Sequence, residues 1–495
     1  MTLASMLREA FVEPRELSRS GKRKNSPPRS ITRLDMLFVS IANLLSLQKV
    51  PEGAGGVEFR LDLFPQLDLE LIKNAIIVFN RPIILTLRKA SQGGSFRGTE
   101  QEREFLIEQL LMFEPAFFDL EYDMSPDFIE KVCQKYKKTN FILSYHNFQE
   151  TPLKLEKIYQ LMSKYPVYGY KIAALSLSAN DALRMLLFSR RRPRLSVVCM
   201  GEKGEFARVL APVVGNIINY TSLSKEEQTA PGQLSVDELI ELYGYLRLNP
   251  NTHLYGLIGD PISKSIGHIY HNNVFKEKRL NSVYVKMNVT PDELSDFFLL
   301  AAEMKFRGLS VTMPLKEKVL PFLNPIDSEI KHIGSANTLI FKNDQVVGFN
   351  FDGIGALDAI EKRGAVRGKK IVLLGAGGTA RAIAHEALKR GAKILILNRT
   401  VEKAKTLACE IDCEAGSLLD VPSEYDILIN SSASSISIDP QKIVPSALVM
   451  DVNYTPRETP LLQQAISLGC DVIYGDEMFF NQALAQSEKW YTAGR

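Results

Sequence analysis

The chain has 495 residues, more than one hydrophobic core ordinarily holds, so two or three domains are expected. Its 45% hydrophobic and 24% charged content is that of a globular protein. With 60 Lys and Arg against 57 Asp and Glu, the net charge of +3 argues against nucleic acid as a partner and leaves small molecules, mildly favouring anionic ones.

The first 35 residues cluster Arg19, Lys22, Arg23 and Lys24 ahead of Pro27-Pro28 and lack the apolar core of a secretory signal, so residues 1–35 read as a disordered basic tail or as sequence upstream of a start at Met36, with a basic organelle-targeting peptide as the alternative that Glu9, Glu13 and Glu16 count against. From Met36, eight short apolar runs alternate with helical stretches. They are Leu37–Ala42, Gly56–Asp62, Ile83–Lys89, Phe117–Tyr122, Asn140–Phe148, Gly169–Leu175, Leu195–Gly201 and Ile217–Leu223. Eight parallel βα units in succession predict a closed (β/α)₈ barrel, with an open doubly wound sheet as the alternative. A helix is expected over Val236–Leu246, then a linker at Arg247-Leu-Asn-Pro-Asn-Thr252. A second α/β pattern opens at Leu254, with a strand at Ser282–Val289. A third opens at Lys369-Lys-Ile-Val-Leu-Leu374 and has the βαβ order of a nucleotide-binding domain. No run of eighteen apolar residues suggests a membrane span. The five cysteines are scattered without a Cys-x-x-Cys pair or a histidine cluster. No metal site is therefore expected, and a reducing cytoplasm is.

Barrel enzymes place their chemistry at the carboxyl ends of the strands. There this chain puts Glu58, Arg60, Arg88, His146 and Lys171. A lysine inside an apolar strand is costly to bury charged, so its amine is expected to become nucleophilic and able to form an imine with a ketone. A histidine on the neighbouring strand end can move the proton that an elimination requires. The ordered set Val57-Glu-Phe-Arg-Leu-Asp62, Thr86-Leu-Arg88, Ser144-Tyr-His-Asn147, Lys171-Ile-Ala173 and Thr229-Ala-Pro-Gly-Gln233 resembles type I 3-dehydroquinate dehydratase over residues 36–245. The resemblance implies that Lys171 forms the Schiff base, that His146 is the general acid and base, and that Glu58, Arg60, Arg88, Arg208, Thr229 and Gln233 bind 3-dehydroquinate. Gln92 stands where the family usually has a glutamate. An amide can orient His146 but cannot stabilise its cation by charge, which leaves an impaired barrel scaffold as an alternative to an active one. A Schiff-base aldolase is a further alternative, opposed by the arginines at 60, 88 and 208.

In the last third, Gly375-Ala376-Gly377-Gly378-Thr379-Ala380 lies between a strand-like and a helix-like run, where glycines let backbone N–H groups approach a pyrophosphate. The next strand ends in Asn398-Arg399-Thr400. With no carboxylate for ribose hydroxyls and an arginine for a 2′-phosphate, NADP is expected over NAD. Upstream, Gly259-Asp-Pro-Ile-Ser263-Lys-Ser265, Ser310-Val-Thr312-Met-Pro-Leu-Lys316, Gly334-Ser-Ala-Asn337-Thr338 and Gly348-Phe-Asn-Phe-Asp352 offer the hydroxyls, amides and lysine–aspartate pair that suit a polyhydroxylated acid.

These motifs resemble shikimate dehydrogenase over residues 252–495. The resemblance implies a two-lobed dehydrogenase: a substrate lobe over 252–345, a Rossmann-type NADP lobe over 346–474, and a helix over 475–495 that returns to the substrate lobe. It implies a catalytic pair of Lys316 and Asp352, a shikimate site of Ser263, Ser265, Thr312, Asn337, Tyr454 and Gln482, and a place for Gly475 near the nicotinamide. Ser310, Phe351 and Ser432 depart from the family's usual asparagine, threonine and threonine, and quinate stays open as a substrate. Taken together, the expectation is a bifunctional shikimate-pathway enzyme that dehydrates 3-dehydroquinate and reduces 3-dehydroshikimate with NADPH. The alternative is activity in the dehydrogenase half alone.

Overall fold

The computed structural model describes residues 37–432 and 438–493, so the expected basic tail lies outside the described residues. The chain divides into two compact units between Thr252 and His253.

The first unit is a parallel eight-stranded barrel of β1 (Leu37–Ile41), β2 (Gly56–Arg60), β3 (Ile83–Thr86), β4 (Phe117–Glu121), β5 (Asn140–Asn147), β6 (Gly169–Leu175), β7 (Leu195–Met200) and β8 (Asn219–Thr221). The strands pair in the order β7-β6-β5-β4-β3-β2-β1-β8. Among the described residues no ladder joins β7 to β8, and side chains close that seam instead. Asn216 Oδ1 accepts from the Val197 N–H at 3.2 Å and Nδ2 donates to the Val197 carbonyl at 2.9 Å. Ser196 Oγ accepts the N–H groups of Ile217 and Ile218 at 3.1 and 3.0 Å. This explains why β8 is shorter than the expected 217–223: the first two N–H groups of that run go to a hydroxyl rather than to a ladder. Phe38, Ile84, Phe117, Ile142 and Ile218 pack one end of the interior, with Phe38 and Phe117 edge to face at 5.7 Å. The expected helix over Val236–Leu246 is instead a π turn, Glu238–Leu242, and a 3₁₀ turn, Tyr245–Arg247, split by Gly244 at φ +60°.

The second unit holds two sheets. β9 (His253–Gly259), β10 (Ser282–Asn288), β11 (Phe306–Val311), β12 (Thr338–Lys342) and β13 (Gln345–Phe349) form one, in the order β10-β9-β11-β12-β13 with β12 antiparallel to both neighbours. The expected lobe boundary at 345/346 therefore falls within β13. β14 (Lys370–Leu374), β15 (Lys393–Leu397), β16 (Glu414–Gly416), β17 (Ile427–Asn430), β18 (Leu448–Asp451) and β19 (Val472–Ile473) form the other, all parallel in the order β16-β15-β14-β17-β18-β19. That is the doubly wound order, whose ligand crevice lies where strand order reverses, at the carboxyl ends of β14 and β17. The helix Gly475–Ala493 returns to the first sheet. Gln486 Nε2 donates to Thr338 Oγ1 at 2.7 Å, and Trp490 Nε1 to the Leu339 carbonyl at 3.2 Å.

Beneath that helix, His271 stacks on Tyr284 at 4.6 Å, and its Nδ1 lies 3.2 Å from Ser487 Oγ. Burial pushes His271 down to about 3 and its neighbour His268 to about 4, from an ordinary 6.5. The unfolded chain then takes up these protons first as pH falls. Stability is unaffected by them above about pH 6.5 and is lost on acidification toward pH 3. We expect His271→Asn to flatten this acid loss by up to ~1.4 kcal/mol per pH unit, read from urea unfolding between pH 6.5 and 4.

Candidate active sites

The period of two along each barrel strand turns alternate residues into one cavity. Glu58 and Arg60 from β2, Lys171 and Ala173 from β6, and Val198 and Met200 from β7 line it together.

Lys171 Nζ lies 3.1 Å from Asp119 Oδ2 and 3.9 Å from Glu58 Oε1, and 4.0 Å from the centre of the Tyr220 ring. Burial pushes its amine below the usual lysine value. Asp119 and Glu58 oppose that fall and Arg88 adds to it. Asp119 is driven down to about 2: burial would raise it, but Arg88 and Lys171 outweigh burial. Glu58 accepts from Ser40 Oγ at 2.5 Å and Thr86 Oγ1 at 2.8 Å, so its carboxylate is fixed from both neighbouring strands.

Arg88 lies two residues beyond β3. Its guanidinium reaches Asp119 Oδ2 at 3.1 Å, Ser144 Oγ at 2.8 Å and His146 Nδ1 at 3.1 Å. A guanidinium only donates, so Nδ1 accepts in this contact and the ring proton sits on Nε2. Burial, then Arg88, Lys171 and Arg60, hold His146 well below 6.5, so the ring is neutral, as a base must be. Gln92 corrects an expectation. Its Oε1 accepts the backbone N–H of His146 at 2.9 Å, so the amide holds the strand end, and Arg88 meets the ring.

Arg60 is gripped by Asp62 at 3.0 and 2.8 Å and donates to the Thr229 carbonyl at 3.2 Å. Gln233 Oε1 accepts the N–H groups of Thr229 and Ala230 at 2.8 and 3.3 Å, shaping the 229–233 loop. Arg208, from the helix Glu205–Val214, donates to the Pro231 carbonyl at 3.1 Å. Its buried Nε has no partner among the described residues, which leaves a donor for a ligand. Every barrel residue singled out from the sequence lines this one cavity. Sequence reasoning missed Asp119, Ser144 and Tyr220. Asp119 in Phe-Phe-Asp119-Leu-Glu121 carried the same signal as Lys171, a charge inside an apolar strand.

In the second unit, Lys316 Nζ is hydrogen-bonded to Asp352 Oδ2. Asn337 Nδ2 donates to Asp352 Oδ1 at 2.8 Å, and the Lys316 carbonyl accepts the Ala336 N–H at 2.8 Å. The 316 loop and the 334–338 motif are thus tied together around a carboxylate that is 1% exposed. Ser310 Oγ donates to Gln486 Oε1 at 3.2 Å, so the residue that departs from the family pattern binds the C-terminal helix. Tyr454 lies beside Ser265 and packs against Phe479 with the rings tilted at 52° and 5.8 Å apart, and burial raises its phenol. Gln482 packs on Gly355, in the helix that Asp352 begins. Thr312 follows β11, and Ser263 is exposed on the loop after β9.

The glycine turn follows β14 and opens the helix Gly378–Lys389. Gly375 has φ +114°, and a Cβ there would stand 2.8 Å from Ser431 Oγ, so only glycine suits it. A Cβ at Gly377 would meet nothing within 4 Å, which leaves open space over the helix N-terminus. Asn398 Nδ2 donates to the Thr400 carbonyl at 2.9 Å, and Arg399 is exposed at the end of β15. A Cβ at Gly475 would lie 2.6 Å from the Val452 and Asn453 carbonyls, which fixes the start of the last helix against the loop after β18.

Residues 41–250 match the family model for type I 3-dehydroquinase, 257–339 that for the shikimate dehydrogenase substrate binding domain, and 358–461 that for shikimate/quinate 5-dehydrogenase. The chain is 34% identical over 439 residues to the shikimate biosynthesis protein AroDE of Chlamydia pneumoniae, covering 88% of this chain and 90% of that protein. It is 33% identical over 470 residues to the bifunctional 3-dehydroquinate dehydratase/shikimate dehydrogenase, chloroplastic, of Arabidopsis thaliana, covering 88% and 77%. Its second unit is 37% identical over 252 residues to the shikimate dehydrogenase (NADP(+)) of Pyrococcus furiosus, covering 49% of this chain and 92% of that protein.

Proposed function

This chain belongs to the family of fused type I 3-dehydroquinases and shikimate dehydrogenases, and we propose that Lys171 and His146 carry its first reaction and Lys316 and Asp352 its second. It is a bifunctional shikimate-pathway enzyme: a lyase that dehydrates 3-dehydroquinate and an NADP-dependent oxidoreductase that reduces 3-dehydroshikimate to shikimate. Nothing in the barrel favours an impaired site, since each expected group lines the cavity.

In the barrel, the Lys171 amine attacks the substrate ketone and water leaves to form an iminium, which draws electrons from the adjacent carbon. His146 takes the proton from that carbon and returns it to the departing hydroxyl, so a second water leaves. Hydrolysis of the imine then frees Lys171. For Nε2 to accept that proton, the ring proton must move to Nδ1. Arg88 can release Nδ1 because Ser144 and Asp119 already hold its guanidinium. Arg208, whose buried Nε has no partner among the described residues, suits the substrate carboxylate, while Arg60 is already held by Asp62 and the Thr229 carbonyl at the cavity wall. One observation carries this reading: a buried amine within 3.1 and 3.9 Å of two carboxylates lines the cavity that holds His146. Borohydride added with 3-dehydroquinate tests it. A reduced adduct is expected on Lys171 by mass spectrometry, and an unmodified Lys171 would overturn the Schiff-base route.

In the second unit, the open cradle at Gly377 and the free N–H groups of the following helix fit a pyrophosphate. The nicotinamide, when bound, supplies the hydride. Lys316 gives its proton to the oxygen that becomes the alcohol, and Asp352, fixed by Asn337, holds the ammonium in place by charge. Ser263, Ser265, Thr312, Tyr454 and Gln482 bind the ring hydroxyls and carboxylate in this reading, with Gly475 beside the nicotinamide. Arg399 and Thr400 take the 2′-phosphate. Arg399→Ala should raise the KM for NADPH ~10- to 100-fold and leave that for NADH nearly unchanged, as for one charge-assisted hydrogen bond. Initial rates with each cofactor check this.

No helix among the described residues is long and apolar enough to cross a membrane. The five free cysteines fit a reducing compartment and support a cytoplasmic location.

A further inference from the structure

Thr379 belongs to the glycine turn by sequence, yet its side chain meets the lysine–aspartate pair. Lys316 Nζ donates to Thr379 Oγ1 at 2.8 Å, and Thr379 Oγ1 donates to Asp352 Oδ2 at 3.1 Å. Asp352 is thereby held by Asn337 on one oxygen and by Lys316 and Thr379 on the other. The ammonium has three protons: one goes to Asp352, one to Thr379, and the third is free for a substrate oxygen.

The backbone of the turn is pinned to the same place. Ser335 Oγ donates to the Gly378 carbonyl at 3.0 Å, and Asn350 Nδ2 donates to Ser335 Oγ at 2.9 Å. A Cβ at Gly378 would stand 3.1 Å from Lys316 Cβ, so no larger residue fits there without shifting the lysine. Thr379 is the second residue of the helix whose N-terminus forms the phosphate cradle. A displacement of the cradle therefore moves a hydroxyl that is bonded to both members of the pair.

We propose that Thr379 is a positioning residue, whose hydroxyl couples the seating of the dinucleotide on the glycine turn to the alignment of Lys316 and Asp352. The inference rests on reading those two residues as the proton-transfer pair. It goes further by tying that pair to the cofactor loop through one side chain.

Thr379→Val keeps the branched shape and removes the hydroxyl, Thr379→Ala serves the same purpose should valine crowd the turn, and Thr379→Ser restores the hydroxyl. Shikimate oxidation with NADP⁺ is measured in the whole protein as kcat, the KM for NADP⁺ and the pH profile of kcat. Loss of one buried hydrogen bond to the pair should lower kcat about 10-fold and displace a limb of the pH profile by ~0.5–1 unit. The KM for NADP⁺ should stay within about twofold, and the serine variant should recover both kcat and profile. A wild-type kcat and pH profile in the valine and alanine variants would overturn the proposal. So would a loss confined to the KM for NADP⁺, which would make the hydroxyl a cofactor contact only. Lys316→Met is run beside them. If it oxidises shikimate at the wild-type rate, the reading of the pair itself fails; if it is inactive while the Thr379 variants behave as wild type, the coupling alone fails.

Discussion

Lys171→Ala is expected to abolish dehydration of 3-dehydroquinate, by about 10⁴-fold or more, and to leave shikimate oxidation unchanged. The loss is large because alanine removes the amine held by Asp119 and Glu58, and without the imine no electron sink assists the elimination. Two consequences separate this from general damage. Borohydride adduct formation should vanish with the activity. The fold of the second unit, judged by its own oxidation rate, should be untouched, because the two activities lie in separate compact units. Alanine also leaves Asp119 without one of its two cations, so some loss of barrel stability accompanies the change; breaking a buried pair costs ~3–5 kcal/mol. Lys171→Met keeps the volume and serves as the check on folding. Dehydration by Lys171→Met near the wild-type rate would refute the covalent route.

Lys316→Met should lower shikimate oxidation by roughly 10²- to 10⁴-fold, the usual range for a lost general acid or base, with dehydration of 3-dehydroquinate intact. Asp352→Asn should fall in the same range. Asparagine cannot fix the ammonium by charge, and its amide would set a donor against the Asn337 or Thr379 donors that now meet a carboxylate. The effect belongs in kcat rather than in the KM for shikimate, because the proton moves only as the hydride does. Steady-state rates of both variants with shikimate and NADP⁺ decide it. A loss confined to KM would make the pair a binding contact.

Much of this was legible in the chain. Lys171 and His146 stood out because charged or titratable groups interrupt apolar strands, where only function or pairing explains them. The glycine turn was legible because its strand and helix flank it within a few residues. What was not legible depends on neighbours far apart in sequence. Asp119 lies on β4, and it reaches Lys171 on β6 only because both strands pair with β5 in a register that turns the two side chains to the same face. Gln92 could be read as a partner of His146, but not that its oxygen would meet the backbone. The seam at β7 and β8 is closed by Asn216 and Ser196, and no strand pattern announces that. Thr379 read as part of a phosphate cradle because its local motif says so, while its bonds to Lys316 and Asp352 come from sequence separations of 63 and 27 residues.

The central claim is that two chemistries operate in series on one polypeptide, an imine-forming lysine first and a reductase with a lysine–aspartate pair second. The direct test offers 3-dehydroquinate and NADPH to the purified protein and follows the nicotinamide absorbance. Oxidation of NADPH in step with the 3-dehydroquinate added is predicted, together with silence in Lys171→Met until 3-dehydroshikimate is supplied. NADPH left unoxidised by 3-dehydroquinate, while 3-dehydroshikimate is reduced by the same sample, would contradict the account.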